Sequence, residues 1–447
     1  MGATAAVEKL WARVESQKTI IPAMYGAVDF SAVPERFATG PDDRTQIAAR
    51  HKDRRRELLA NEERVALARA YSMMGDIVAD SYAVLMRQYG FKKLIDMLVT
   101  ACDRGVESVP DAPPELAAFI ADMERKPAWV DMALVEEGAR ADRNLMANLS
   151  PFVIRGAFIA TFMNKYSALP MALTNNLSSN SAGKRVKETA TFFATSVLPG
   201  ALDRFGPGFK AAAMVRLMHS MVRANVLRRA GTWDLKTYGI PIPQVDQMPA
   251  GLIGVYLLSE QVLREGRTAF SRGERARVEL ARYRCFLLGL PEDLLADTPQ
   301  GIVDMMLTRG GTLRHEYDDT ICGDLVRATM SADLRNGEGL KENVTAFFER
   351  RIGKLFFLKN YMGGDREKAA GMGVRISTAD VAIASVAQIF LGFRLVAYKL
   401  ASRVPGLAGI ADRRLAKKIE HQLAGYGKAH FTTDSANYRP ATPAAAE

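Results

Sequence analysis

Arg216-Leu-Met-His219-Ser-Met-Val-Arg223 lies inside a longer run, 208–230, whose apolar residues recur at helical spacing. On a helix, positions three before and four after a residue share its face. Arg216 and Arg223 are therefore expected on the face of His219. Two chemistries fit this octet. In one, the imidazole is a core or surface histidine beside solvated arginines. In the other, it is an axial ligand for haem iron, with the guanidinium forks pairing the two haem propionates.

The pattern around the octet repeats along the chain. From Glu62 onward, apolar residues fall three and four apart. Further helical stretches are expected at 79–103, 114–124, 131–148, 151–175, 184–198, 248–265, 271–287, 338–358, 378–402 and 408–425, and strand-like alternation is scarce. The sequence predicts an all-α protein built as a single helical domain. Residues 1–58 read as an irregular arm, because Pro22, Pro34 and Pro41 argue against a long helix. The helical domain then covers 59–405, and 406–447 holds a C-terminal helix and a disordered tail rich in Ala, Pro and Thr.

Composition narrows the function. A hydrophobic share of 48% supports a sizeable core, and a charged share of 25% is that of an ordinary soluble protein. The net charge of +10 is spread along the chain in short clusters. No zinc-finger spacing or RNA-binding signature accompanies it, so nucleic acid is not an expected partner. Cys102, Cys285 and Cys322 form neither a zinc quartet nor a Cys-x-x-Cys-His attachment site, so any haem is expected to be held non-covalently, as haem b. The first eighteen residues include Glu8, Lys9, Arg13, Glu15 and Lys18 and lack an apolar signal core, which reads as cytoplasmic. Two apolar stretches, 151–173 and 380–400, each contain charges and are expected to be buried core helices. The second is followed by basic residues and leaves room for peripheral membrane contact.

Other motifs carry less. None of the five histidines follows a glutamate at the di-iron spacing. His315-Glu316-Tyr-Asp318-Asp319 is not a zinc-protease motif and reads as a polar helix start. No nucleophile elbow, phosphate loop or dinucleotide fingerprint occurs in its proper context. Arg350 and Arg351 fit either a further propionate contact or a solvated helix face.

Two segments flank the octet in a fixed order. Upstream, Arg185, Glu188 and Thr189 share a helix face at i, i+3 and i+4. Downstream, Gly239-Ile-Pro-Ile-Pro-Gln244 forms a stiff connector, after which Gln244 or Asp246 begins the next helix. The Arg-x-x-x-Thr start, the Arg-x-x-His-x-x-x-Arg helix with His219 thirty residues beyond Thr189, and the Gly-Ile-Pro-Ile-Pro-Gln segment together resemble the latex clearing protein and MpaB-like oxygenase family. The match is best over about 185–250 and looser over 60–400.

The resemblance implies a globin-like central core and haem b bound through His219, with Arg216 and Arg223 on the propionates and Arg185 and Thr189 on the distal side. It also implies oxidative cleavage, with O2, of a carbon–carbon double bond in a lipophilic, isoprenoid- or lipid-like small molecule. Rubber-cleaving members carry a distal lysine where this chain has Glu188, and Leu169 stands where their glutamate base would be. Glu188 is accordingly the candidate to take an allylic proton or orient water. A haem carrier or sensor without turnover, and a cofactor-free helical lipid-binding protein, are the alternatives from other classes.

Overall fold

A computed structural model describes residues 3–173, 179–229, 231 and 233–426. Every regular element among them is helical; the extended pairings are two isolated antiparallel bridges, Phe37 with Leu313 and Thr45 with Arg314. The fold is all-α, as the periodicity predicts. The expected single domain is organised as two compact units, each assembled from separated stretches of chain.

The first unit comprises residues 1–138 and 202–316. Its N-terminal part holds α1 (Ala3–Ile20), α2 (Glu62–Ser72), α3 (Ile77–Ala83), α4 (Phe91–Arg104) and α5 (Pro114–Glu124). Helix α6 (Met132–Asn148) carries the chain into the second unit, which continues through α7 (Ser150–Ile159), α8 (Lys165–Leu173) and α9 (Ser179–Thr195). The chain then returns to the first unit for α10 (Pro207–Leu227), α11 (Gln244–Arg264), α12 (Arg272–Leu287) and α13 (Pro299–Thr312). Helices α14 (Asp324–Ser331), α15 (Leu340–Tyr361), α16 (Thr378–Ala401) and α17 (Leu407–Gly425) complete the second unit. In the first unit α10 packs on α3, and α11 on both α12 and α13. In the second, α15 packs between α7 and α16.

Residues 3–20 are not an irregular arm. Helix α1 packs on α2, burying Leu10, Val14 and Gln17, and the Gln17 side-chain amide donates to the Met73 carbonyl at 3.0 Å. The three prolines all follow this helix, so they limit its end and not its existence; Pro22 opens the next short turn. Residues 38–60 are also tied down. The buried Arg55 donates to the carbonyls of Ala38, Gly40, Pro41 and Gly311.

Three further expectations change. The stretch 79–103 is broken at Gly90, whose φ of +76° ends one helix and begins α4. Helix α13 lies where none was expected, although Thr298 caps it and Pro299 occupies its first turn. Gly310 and Gly311 lie in the last turn of α13, and His315 follows outside any helix; the polar start comes at Asp318, which accepts from the amides of Thr320 and Ile321.

The two apolar stretches have different fates. Residues 151–173 supply α7 and α8, and Phe158, Ile159, Phe162 and Tyr166 are buried in the second unit's core, as expected. Helix α16 is long and apolar enough to cross a membrane, yet only 17% of its most apolar window is buried. It is a surface helix, not a core one. Residues 427–447, where a disordered tail and His430 were expected, lie outside the described residues.

Candidate functional site

His219 sits in the middle of α10, which starts after Gly206 with Pro207 in its first turn. The helix buries Ala213, Leu217, Met221 and Ala224 at helical spacing, and the imidazole is half-buried. Its Nδ1 lies 3.3 Å from Gln247 Oε1. The orientation of that amide follows from its own partners. The Gly75 carbonyl can only accept, so Gln244 meets it with Nε2, at 3.2 Å. Gln244 Oε1 then accepts from Gln247 Nε2 at 2.9 Å, which turns Gln247 Oε1 toward the ring. The Gly75 amide in turn donates to Gln17 Oε1 at 2.8 Å. In this contact the Gln247 oxygen accepts, so Nδ1 is the ring nitrogen that donates.

Both arginines of the octet are buried, and neither offers a fork. Arg216 grips Asp76 through Nε and Nη2, at 2.6 and 2.8 Å, and reaches Asp122 at 2.9 Å; its Cζ lies 5.0 Å from the centre of the Phe119 ring. Only its Nη1 has no hydrogen-bond partner among the described residues. Every guanidinium nitrogen of Arg223 is engaged: Nη1 pairs with Asp80, Nε donates to the Pro241 carbonyl at 3.0 Å, and Nη2 to that of Ile242 at 2.7 Å. Tyr25 also donates to Asp80, at 2.6 Å. Burial alone would favour a neutral Asp80, but the guanidinium in direct contact holds the pair ionised. Burial likewise works against the Arg223 cation, and the Asp80 carboxylate more than offsets it, so its pKa lies above the ordinary value. Asp76, which caps α3, and Asp80, four residues on within it, thus form a ladder with two arginines seven residues apart on α10. The polar contacts of these two side chains lie inside the unit, and Arg216 Nη1 is the one guanidinium nitrogen of the pair without a hydrogen-bond partner among the described residues.

The Gly239–Gln244 connector is positioned by the same ladder. Trp233 Nε1 donates to the Gly239 carbonyl at 2.6 Å. Ile242, held between two prolines, has a φ of +49°, a conformation that costs a β-branched residue on the order of 1–3 kcal/mol. Arg223 holds the carbonyl of this strained residue, and Gln244 begins α11 two residues later, as the sequence suggested. The strain therefore sits in the segment that delivers Gln244 and Gln247 to His219. Asp246, in the first turn of α11, is clamped by Arg36 at 2.6 and 2.7 Å and by Arg309 at 3.2 Å.

Arg185, Glu188 and Thr189 lie on α9 of the second unit, a helix that begins at Ser179, before the expected start. Ala182, Val186 and Ala190 form its buried stripe, and the three polar residues flank it, each half-buried. Glu188 Oε1 is buried with no hydrogen-bond partner among the described residues, and Lys184 Nζ is 3.9 Å away. Burial pushes the Glu188 carboxyl above its ordinary range, against the pull of Arg185 and Lys184. Lys187 points elsewhere, donating to the Arg335 carbonyl at 2.7 Å. Arg350 is exposed, whereas Arg351 is half-buried, donating to the Phe347 carbonyl at 2.9 Å within its own helix and lying 3.6 Å from Asp380.

Thus the octet's helix and the Arg185–Thr189 helix belong to different units, and each group is described within its own. Among the described residues no group of three or more His, Cys, Asp or Glu could hold a metal ion. Asp76, Asp80, Gln17 and Gln247 escaped the sequence reading. The four-residue spacing of Asp76 and Asp80 complements the arginines, but nothing local pairs residues about 140 positions apart.

Residues 143–336 match the family model described as ER-bound oxygenase mpaB/B'/Rubber oxygenase, catalytic domain. The chain is also similar to a solved structure of latex clearing protein in its closed state, with a TM-score of 0.55 and 14% identity over 78% of this chain and 91% of that one. At that identity the likeness is one of fold. No curated protein matches the sequence. The resemblance carried by the three motifs is thus shown by a matching family segment and a shared helical architecture.

Proposed function

We propose that this chain is a haem b-dependent oxygenase that cleaves a carbon–carbon double bond in a lipophilic small molecule, with His219 as the axial ligand. The observation that carries the reading is the amide relay from Gly75 through Gln244 and Gln247 to His219 Nδ1. Metal-binding imidazoles are commonly oriented this way, with one ring nitrogen donating to a fixed acceptor and the other presenting its lone pair. The match to an oxygenase catalytic domain supports the reaction class.

The donor chemistry of His219 fits a haem axial position. The arginines fit it less well, since every guanidinium nitrogen of Arg223 is already engaged and Arg216 keeps only Nη1 without a partner among the described residues. We assign them to positioning: they fix α10 against α3 and brace the Ile242 turn. Haem, when bound, supplies an iron centre that activates dioxygen. Glu188 is the proposed proton acceptor, a carboxyl that burial raises above its ordinary range and so makes a stronger base than a solvated one. Arg185 and Thr189 are proposed as polar partners beside it on α9.

Expression with haem and a visible spectrum test the reading. A Soret band is expected, and His219→Ala should abolish it. Gln247→Leu should retain the band while weakening haem affinity by about 10- to 100-fold. Sustained oxygen uptake with isoprenoid alkenes, giving carbonyl products, is the expected turnover. Absence of the band, or a band indifferent to His219→Ala, would remove the haem assignment, and a Soret band without uptake would leave a haem carrier.

A further inference from the structure

Helix α16 carries an apolar strip that nothing in the described chain covers. Val386, Ile389, Phe390, Phe393, Val396 and Leu400 recur at spacings of three and four, and each is between 53% and 78% exposed. The strip continues through the following turn to Leu407 and Ile410 at the start of α17. The opposite flank is fastened to its own unit. Ser377 caps the helix, Lys354 pairs with Asp380 at 3.0 Å, and Asn144 donates to the Leu395 carbonyl at 2.9 Å. Ala384, Ala387 and Leu391 are buried on that side. Charged and polar groups of its own unit, Lys354 and Asn144, hold one flank of the helix, which leaves the other flank to lie along a bilayer surface.

The charge around the strip is one-sided. Between Val381 and Ile419 there are seven lysines and arginines and one acid, Asp412, which is held by Arg143 at 2.7 Å. Arg394, Lys399, Arg403, Arg413, Arg414 and Lys417 are all exposed. A second copy seated symmetrically on this face would bring these cations together. Large aromatics flanked by exposed cations match the two layers of an anionic bilayer surface, acyl boundary and headgroups.

We propose that the α16–α17 face docks onto the surface of an anionic lipid bilayer, with Phe390 and Phe393 entering the acyl boundary and the basic residues meeting the headgroups. The proposal goes beyond the oxygenase reading and does not depend on haem. Its test is flotation of the full chain with phosphatidylcholine vesicles and with mixed phosphatidylcholine–phosphatidylglycerol vesicles. Binding is expected to the mixed vesicles, and it should weaken as salt rises. Replacing Phe390 and Phe393 together by glutamate should lower partitioning about tenfold or more. Arg403→Gln and Arg413→Gln should each cost roughly fivefold. Phe393→Trp should show a blue-shifted emission that brominated acyl chains quench, a readout that holds even if the double variant folds poorly. Failure to bind mixed vesicles, or binding that survives the double substitution, overturns the proposal. So does a dimer in sedimentation velocity that Phe393→Glu dissociates while vesicles go unbound, which would give the face to a second copy. Binding seen only after removal of residues 427–447 would give it to that segment and overturn the proposal equally.

Discussion

Arg223 has all three guanidinium nitrogens engaged in a site where nothing of its side chain meets solvent. Removing it would leave the Asp80 carboxylate buried and unpaired beside two freed carbonyls. Breaking such a pair from one side typically costs about 3–5 kcal/mol, because the remaining charge stays desolvated. Arg223→Met should therefore lower the urea-unfolding free energy by that amount, and adding Asp80→Asn, which retains an acceptor for Tyr25, should recover part of it. A loss within about 1 kcal/mol for Arg223→Met alone would show that the ladder is not structural. Glu188 makes the opposite case, a carboxyl buried without a hydrogen-bonding donor at Oε1. Its folded pKa lies above the unfolded one, so between the two the folded state holds the extra proton. Stability conferred by that proton is full below the unfolded value and is lost as pH rises through the folded one. Glu188→Gln should flatten this decline and leave the protein more stable at neutral pH. Unfolding midpoints measured across pH check it, and parallel curves for the two proteins would refute it. If Glu188 is the base, turnover should instead rise with pH over the same interval.

Helices were largely legible because their period is local: Pro114–Glu124 coincides with expectation, and α10 and α12 lie within a few residues of theirs. What periodicity could not report is which side of a helix finds a partner. The 380–400 stretch is mainly apolar and read as core, but α16 buries one flank only, because the described residues supply no second layer to cover the other. Close crossings were hidden for the same reason. Gly251 on α11 faces Cys285 on α12 so tightly that a β-carbon at 251 would fall on the Cys285 sulfur. Burial pushes the Cys285 thiol up to about 12, so at neutral pH it is an inert packing group. Gly251→Ala should force the two helices apart and cost about 1–3 kcal/mol. Cys285→Ala, mild on its own, should relieve much of that cost in the double variant, a coupling measurable by a double-mutant cycle. Additive effects would mean that the two helices do not meet at that point.

At the scale of the whole molecule, the chain crosses between its units at 138–139, 201–202 and 316–317. No composition shift marks those crossings, so the sequence carries no sign of the two units. The motif helices α9 and α10 are neighbours in sequence and fall in different units, so their order and spacing were readable while their architecture was not. Each unit closes its own core: Leu217 and Leu280 are fully buried in the first, and Leu355 and Phe357 are buried in the second. Separate cores favour separate unfolding events, and a single two-state transition is not the expectation for such a chain. Calorimetry of the haem-free protein should show two transitions. Leu217→Ala, costing about 2–5 kcal/mol, should lower one, and Phe357→Ala, costing about 3–5 kcal/mol, should lower the other. Because His219 belongs to the first unit, haem at a hundredfold excess over its dissociation constant should raise the Leu217-sensitive transition, by about 2.7 kcal/mol of stabilisation, and His219→Ala should cancel that rise. One coincident transition, lowered equally by both substitutions, would show that the cores melt as a single cooperative body. The residue-scale effects at Arg223 and Glu188 would then appear in the same midpoint instead of in separate ones.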